Sequence, residues 1–140
     1  MKTNVSLEQI LKNKGLKVTK HRTEVYSILK ESSQPISAED IYFKLKEKEI
    51  SINPSSIYKI LDTLCNCSVI NKSLIGDNNK ILYEVNDLCH KHHLICKSCN
   101  KVFPLTKCPL DSYNKEVEEL MEFQITNHKL ELYGYCKNCK

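Results

Sequence analysis

The residues best equipped for chemistry crowd into one stretch, "CHKHHLICKSC" at 89–99, which holds three cysteines and three of the chain's five histidines. Thiolates and imidazoles at that density are metal ligands or redox groups. Cys96 and Cys99 form a C-x-x-C, and a second, Cys136 and Cys139 in "CKNC", follows after 36 intervening residues. A C-x-x-C turn presents two sulfurs to one tetrahedral centre about 2.3 Å away, so two such turns make a closed, structural four-cysteine zinc site. Each pair ends an expected strand, and antiparallel pairing of the two strands is expected to bring them together. A thioredoxin-like redox pair would need its C-x-x-C at a helix start in a βαβ unit, and neither pair sits there.

The histidines suggest a second site. Residues two apart in a strand share a face, so His90 and His92 can grip one ion while His93 looks the other way. Further ligands are available in His128, on a later expected strand, and Asp111, in the first turn of an expected helix. Imidazoles with a carboxylate suit zinc and also accept other divalent ions such as iron or manganese. Of the remaining thiols, Cys65 and Cys67 read as small apolar residues at a helix end. Cys89 and Cys108, nearer the histidines, are minor candidates for ligands or oxidation-sensitive thiols. An enzyme built on a Cys–His pair would need an activated thiol and an oxyanion-stabilising loop. With only three glycines and no elbow motif, the chain is not expected to be one.

The composition, 41% hydrophobic and 27% charged over 140 residues, is that of a globular protein. No apolar run approaches the ~20 residues of a membrane helix. "MKTNVSLEQI" also lacks the layout of a secretory signal, so the expected location is cytoplasmic, with no membrane partner. Eight cysteines in that compartment favour metal over disulfides. The net charge of +4 is uneven: Lys2, Lys12, Lys14, Lys17, Lys20, Arg22 and Lys30 face only Glu8 and Glu24 in the first 30 residues. Such a basic face attracts phosphate.

The elements that must position these groups follow from caps and periodicity. "SLEQILKNKG" has Ser6 as N-cap and stops at Gly15. "TKHRTEVYSILKESS" is capped by Thr19 and buries Val25, Ile28 and Leu29, and Pro35 lies past its end. Ser37 and Asp40 open a third helix with an approximate capping box. In "NPSSIYKILDTLCNC", Asn53 caps and Pro54 takes the first helical position. Ile57, Ile60, Leu61 and Leu64 share a face, leaving Ser55, Tyr58, Lys59 and Asp62 opposite. "VINKSLI" and "KILYEV" flank the turn "GDNN" as a hairpin. Helices followed by a hairpin are a winged-helix order. Beyond Asn86, strands surround one helix, "PLDSYNKEVEELMEF", with a stripe of Leu110, Val117, Leu120 and Met121. A unit this small buries little core, so metal or dimerisation is expected to supply stability.

Taken in order and spacing, "GLKVTKHR", "SAEDIYFKL", "SSIYKILDTL", "HHLICKSCNKV" and "ITNHKLELYGYCKNC" resemble motifs of the ferric uptake regulator family of bacterial metal-dependent repressors. They match its opening, helix-three, recognition-helix and dimerisation-domain segments. The resemblance implies an α+β fold, with an N-terminal winged helix-turn-helix domain over 1–86 and a small α/β dimerisation domain with zinc sites over 87–140. It implies a homodimer on double-stranded operator DNA, which Ser55, Ser56, Tyr58 and Lys59 would contact from the recognition helix. Lys17, His21 and Arg22 would approach phosphates or the minor groove. Cys96, Cys99, Cys136 and Cys139 match the structural zinc ligands, and His90, His92, Asp111 and His128 a second divalent site. A further family site at the hinge is degenerate: only Glu84 and His93 remain, with Pro35, Lys91 and Pro104 at its other positions, although Gln34, Glu84, Cys89 and His93 could form an atypical one. The function implied is a metal-responsive repressor of metal-homeostasis genes. The alternatives are a zinc-stabilised protein-interaction module or a constitutive DNA binder that has lost metal sensing.

Overall fold

A computed structural model describes residues 6–86, 91–105 and 107–140. The chain divides into two compact units, Met1–Asp87 and Leu88–Lys140. The first contains α1 (Leu7–Asn13), α2 (Lys20–Glu31), α3 (Ala38–Glu47), α4 (Pro54–Asn66) and the strands β1 (Ile70–Ile75) and β2 (Lys80–Val85). The second contains β3 (His92–Cys96), β4 (Val102–Leu105), α5 (Asp111–Met121) and β5 (Glu131–Gly134).

The helices of the first unit start where their caps dictate. The Ser6, Thr19 and Asn53 side chains accept from the backbone N–H groups of Gln9, Arg22 and Ser56. Ser37 and Asp40 satisfy each other's backbone at 3.2 Å each, a complete capping box. Each such cap stabilises its helix by about 1 kcal/mol, because it pairs an amide that the helix leaves open. Gly15, at φ +71°, ends α1 and lets the Leu16 amide return to the Leu11 carbonyl at 2.8 Å.

Periodicity then decides the packing. Leu11, Val25, Ile28, Leu29, Ile41, Leu45, Ile57, Leu61 and Leu64 all turn inward onto one core, closed by Val69, Ile70 and Tyr83 from the hairpin. β1 and β2 pair antiparallel from Ile70↔Val85 to Ile75↔Lys80. Their turn uses left-handed backbone at Gly76 and Asn79, residues suited to it. A link that periodicity does not show is the bridge between Ile36 and Tyr83, which exchange two backbone hydrogen bonds at 3.0 and 2.7 Å. It ties the α2–α3 connection to the hairpin.

The second unit is a three-stranded sheet in the order β4-β3-β5. The expected antiparallel pairing of the cysteine-bearing strands is corrected here: β3 and β5 run parallel, with Cys96 opposite Gly134. Both C-x-x-C pairs sit at the C-terminal ends of their strands, and only parallel strands place those ends together. β5 is also shorter than expected, and His128 precedes it in irregular chain. The apolar stripe of α5 is only partly covered by the described residues: Leu110 and Val117 are half-buried, no residue of α5 is fully buried, and Leu120 and Met121 are 79% and 67% exposed.

The first unit therefore depends on α4 packing. Leu61→Ala, at a fully buried position, is expected to lower stability by about 2–5 kcal/mol, read from the urea midpoint. An unchanged midpoint would contradict this core assignment.

Candidate metal centres and nucleic-acid interface

At the end of β3 the chain turns through Cys96–Asn100, closed by the Asn100 amide donating to the Cys96 carbonyl at 2.9 Å. Asn100 has φ +60°, a conformation asparagine tolerates better than most residues. The second turn is closed in the same way, by the Cys139 and Lys140 amides on the Cys136 carbonyl at 2.9 and 3.0 Å. Two bonds lace the turns together: the Lys97 amide to the Gly134 carbonyl at 2.7 Å, and the Cys136 amide to Cys96 Sγ at 3.4 Å.

The four sulfurs of Cys96, Cys99, Cys136 and Cys139 consequently lie within 4.8 Å of one another, with Cys99 and Cys136 at 3.9 Å. Sulfurs about 2.3 Å from a tetrahedral centre stand ~3.8 Å apart, so this set fits a closed zinc site. Donation from the Cys99 amide, then the Cys136 amide, lowers the Cys96 thiol to about 6. The hydrogen bond with Cys136 pushes Cys139 up to about 12. Protons and metal compete for these sulfurs, so metal affinity falls as the pH falls.

The second cluster gathers His92 from β3, Cys108 from the β4–α5 connection and His128 from the α5–β5 connection. His92 Nε2, Cys108 Sγ and His128 Nε2 form a triangle with edges of 3.2, 3.3 and 3.1 Å. His92 is 2% exposed. On the far side of its ring, His128 Nδ1 meets the Asn114 carboxamide at 2.7 Å. Glu118, one turn along α5, accepts the Ile125 amide at 2.7 Å and fixes the segment that carries His128. The donor set and its spacing fit a divalent metal ion with three protein ligands.

Of the expected second-site residues, His92 and His128 come together. Asp111, in the first turn of α5, lines an open cleft with His128, Asn114 and Glu118, but its carboxylate is not within 4.8 Å of all three donors. His90, like Cys89, lies outside the described residues. For the hinge site, Glu84 is on β2 of the first unit and buried His93 is on β3 of the second, where its partner across the ladder is Pro104.

In the first unit, α4 presents Ser55, Tyr58 and Lys59 to solvent, Tyr58 at 48% exposure. Ser55 Oγ donates to Asn53 Oδ1 at 2.7 Å, and Ser56 is half-buried beneath the same cap. Lys17 and His21 are exposed. Arg22 is half-buried and spends one N–H on the Lys17 carbonyl at 2.7 Å, which fixes the α1–α2 connection. Cys65 and Cys67 pack against the core, and burial first of all pushes the Cys65 thiol up, away from thiolate reactivity.

A family model for the ferric uptake regulator family matches residues 13–133. The chain belongs to this family. It is 32% identical over 131 residues to the ferric uptake regulation protein of Bordetella parapertussis, covering 93% of this chain and 94% of the relative. The Vibrio cholerae ferric uptake regulator superposes with a TM-score of 0.79 at 30% identity, covering 94% of this chain and 100% of that one. The Helicobacter pylori regulator, which has three functional metal binding sites, gives 0.81 at 29% identity, covering 99% and 97%. The α+β fold read from the motifs is thus the family's fold.

Two residues of the second cluster carried weak signals in the chain. Cys108 stood only as a minor candidate, because nothing in its spacing ties it to His92. Asn114 shows in the sequence only through spacing, since Asp111, Asn114 and Glu118 recur at helical intervals on one face of α5. Cys139→Ser is expected to remove one zinc per chain, read by elemental analysis, and to loosen the second unit, read by amide exchange of β3 and β5. Retention of the metal with unchanged exchange would refute the four-cysteine site.

Proposed function

We propose that this member of the family is a metal-responsive transcriptional repressor that binds double-stranded operator DNA as a homodimer. What carries the reading is the family match along nearly the whole chain, together with two donor clusters in the second unit of a chain whose first unit is a winged helix. The first unit is the DNA-binding domain and the second the dimerisation domain. The apolar face of α5, on which Leu120 and Met121 are exposed among the described residues, supports the latter. Among the described residues no helix is long and apolar enough to cross a membrane. The protein acts in the cytoplasm, and the reading assigns it no catalysis.

Tyr58 and Lys59 stand where a recognition helix offers side chains to base edges and phosphates, and Lys17 and His21 add positive charge on the same unit. Related by a two-fold axis, two such helices read a palindromic, A·T-rich operator. Cys96, Cys99, Cys136 and Cys139 would hold a structural zinc ion, and the His92–His128 site a second divalent ion that acts as the switch. A ligand preferring the DNA-competent arrangement shifts the population towards it, which is all that repression by metal requires. Proline at 35 and 104 and lysine at 91 leave the hinge positions poor in donors. Regulation is accordingly assigned to the His92–His128 site, which disfavours a constitutive binder.

The operator can be selected from a random duplex pool and titrated. Lys59→Ala is expected to weaken binding about tenfold or more with no change in melting temperature, and to flatten the salt dependence by about one phosphate contact. Removing only the chelator-accessible ion should weaken the wild type as well. Equal affinities throughout would remove both the recognition-helix and the switch assignments.

A further inference from the structure

We propose that Cys108 is a metal ligand of the second site, which makes that site a two-imidazole, one-thiolate centre selective for zinc-class ions, with Asn114 as its positioning residue. The proposal rests on the regulatory reading for its consequence but not for its chemistry. Three donor atoms with mutual separations of 3.1–3.3 Å satisfy hydrogen bonds poorly, because a proton on one edge of a triangle points away from the third atom. An ion seated just off the plane of the triangle, about 2.0–2.3 Å from each donor, would satisfy all three lone pairs at once. When it binds, the Cys108 S–H bond breaks, its proton leaves to solvent, and both sulfur electrons enter the S–metal bond.

A carboxylate at this site would leave it open to iron and manganese, whereas a thiolate beside imidazoles favours zinc and cobalt. The carboxylate offered by the motif, Asp111, stands off in the adjoining cleft. The thiol stands where an ion would need it. Asn114 sets the tautomer of His128. Its nitrogen lies 2.7 Å from Nδ1, and turning the carboxamide over exchanges nitrogen and oxygen without altering its shape. With the oxygen inward it accepts Nδ1–H, which leaves the Nε2 lone pair directed at the centre.

Cobalt(II) reports thiolate ligation through its near-ultraviolet sulfur-to-metal charge-transfer band. The full-length dimer, with its chelator-resistant zinc left in the four-cysteine site and verified by elemental analysis, is emptied at the second site and reloaded with cobalt. The wild type is expected to show the band. Cys108→Ser should lose it and bind cobalt and zinc at least tenfold more weakly, with manganese affinity little changed. Asn114→Leu should keep the band and weaken binding about ten- to a hundredfold, and Asp111→Asn should keep both band and affinity. A band of equal strength in Cys108→Ser, or loss of the ion in Asp111→Asn but not in Cys108→Ser, overturns the proposal. If the band follows Cys108 while cobalt leaves operator affinity untouched, the ligand stands and the switch falls. If cobalt controls operator affinity equally in the wild type and Cys108→Ser with no band in either, the switch stands and the ligand falls.

Discussion

Parallel pairing of β3 with β5 is the constraint on which the second unit rests. Both strands deliver a cysteine pair at their C-terminal ends, and the ladder sets Cys96 opposite Gly134, two residues before Cys136. A parallel pair needs a crossover long enough to return the chain, and here the crossover carries Cys108, α5 and His128. One topological choice therefore builds the four-sulfur cluster and also brings the pieces of the second cluster back to His92 at the start of β3. The two sites sit at opposite ends of a single five-residue strand.

That arrangement explains how so small a unit holds its shape. α5 buries no residue within the chain, and its most apolar positions face outward. Little hydrophobic area is then left to offset the conformational entropy of ordering the segment. Metal–ligand bonds and a partner's surface are the available substitutes, and the donor clusters and the open α5 face provide for both. The first unit needs neither. Its helices are capped by their own side chains, and their apolar stripes converge on one core, so it can stay rigid while presenting α4.

Among the described residues the metal-ligating groups concentrate in two clusters of the second unit. Pro104 lies across the ladder from His93 and offers no side-chain donor. The cluster at His92 includes the Cys108 sulfur, which nothing in its spacing along the chain predicts. Ligation by Cys108, as proposed, would set a thiolate beside two imidazoles, a softer donor set than imidazoles with a carboxylate and one that favours zinc over iron or manganese.

The sequence by itself determined the local features. Ser6, Thr19, Ser37 and Asn53 start their helices, Gly76 and Asn79 turn the hairpin, and the two C-x-x-C pairs make the zinc turns. In each case the controlling interaction spans three or four residues, or follows from a repeating face. Tyr58 and Lys59 were legible as an outward pair for the same reason. Only the tertiary structure decided the rest: the parallel sense of β3 and β5, the Ile36–Tyr83 bridge, the removal of His128 from its expected strand, and the meeting of Cys108 and Asn114 with His92 and His128. These contacts join residues 14 to 47 positions apart, or arise from a loop whose path no periodicity encodes. Ligand types can be read along a chain, but which donors converge on one point is settled by the strand pairing that carries them there.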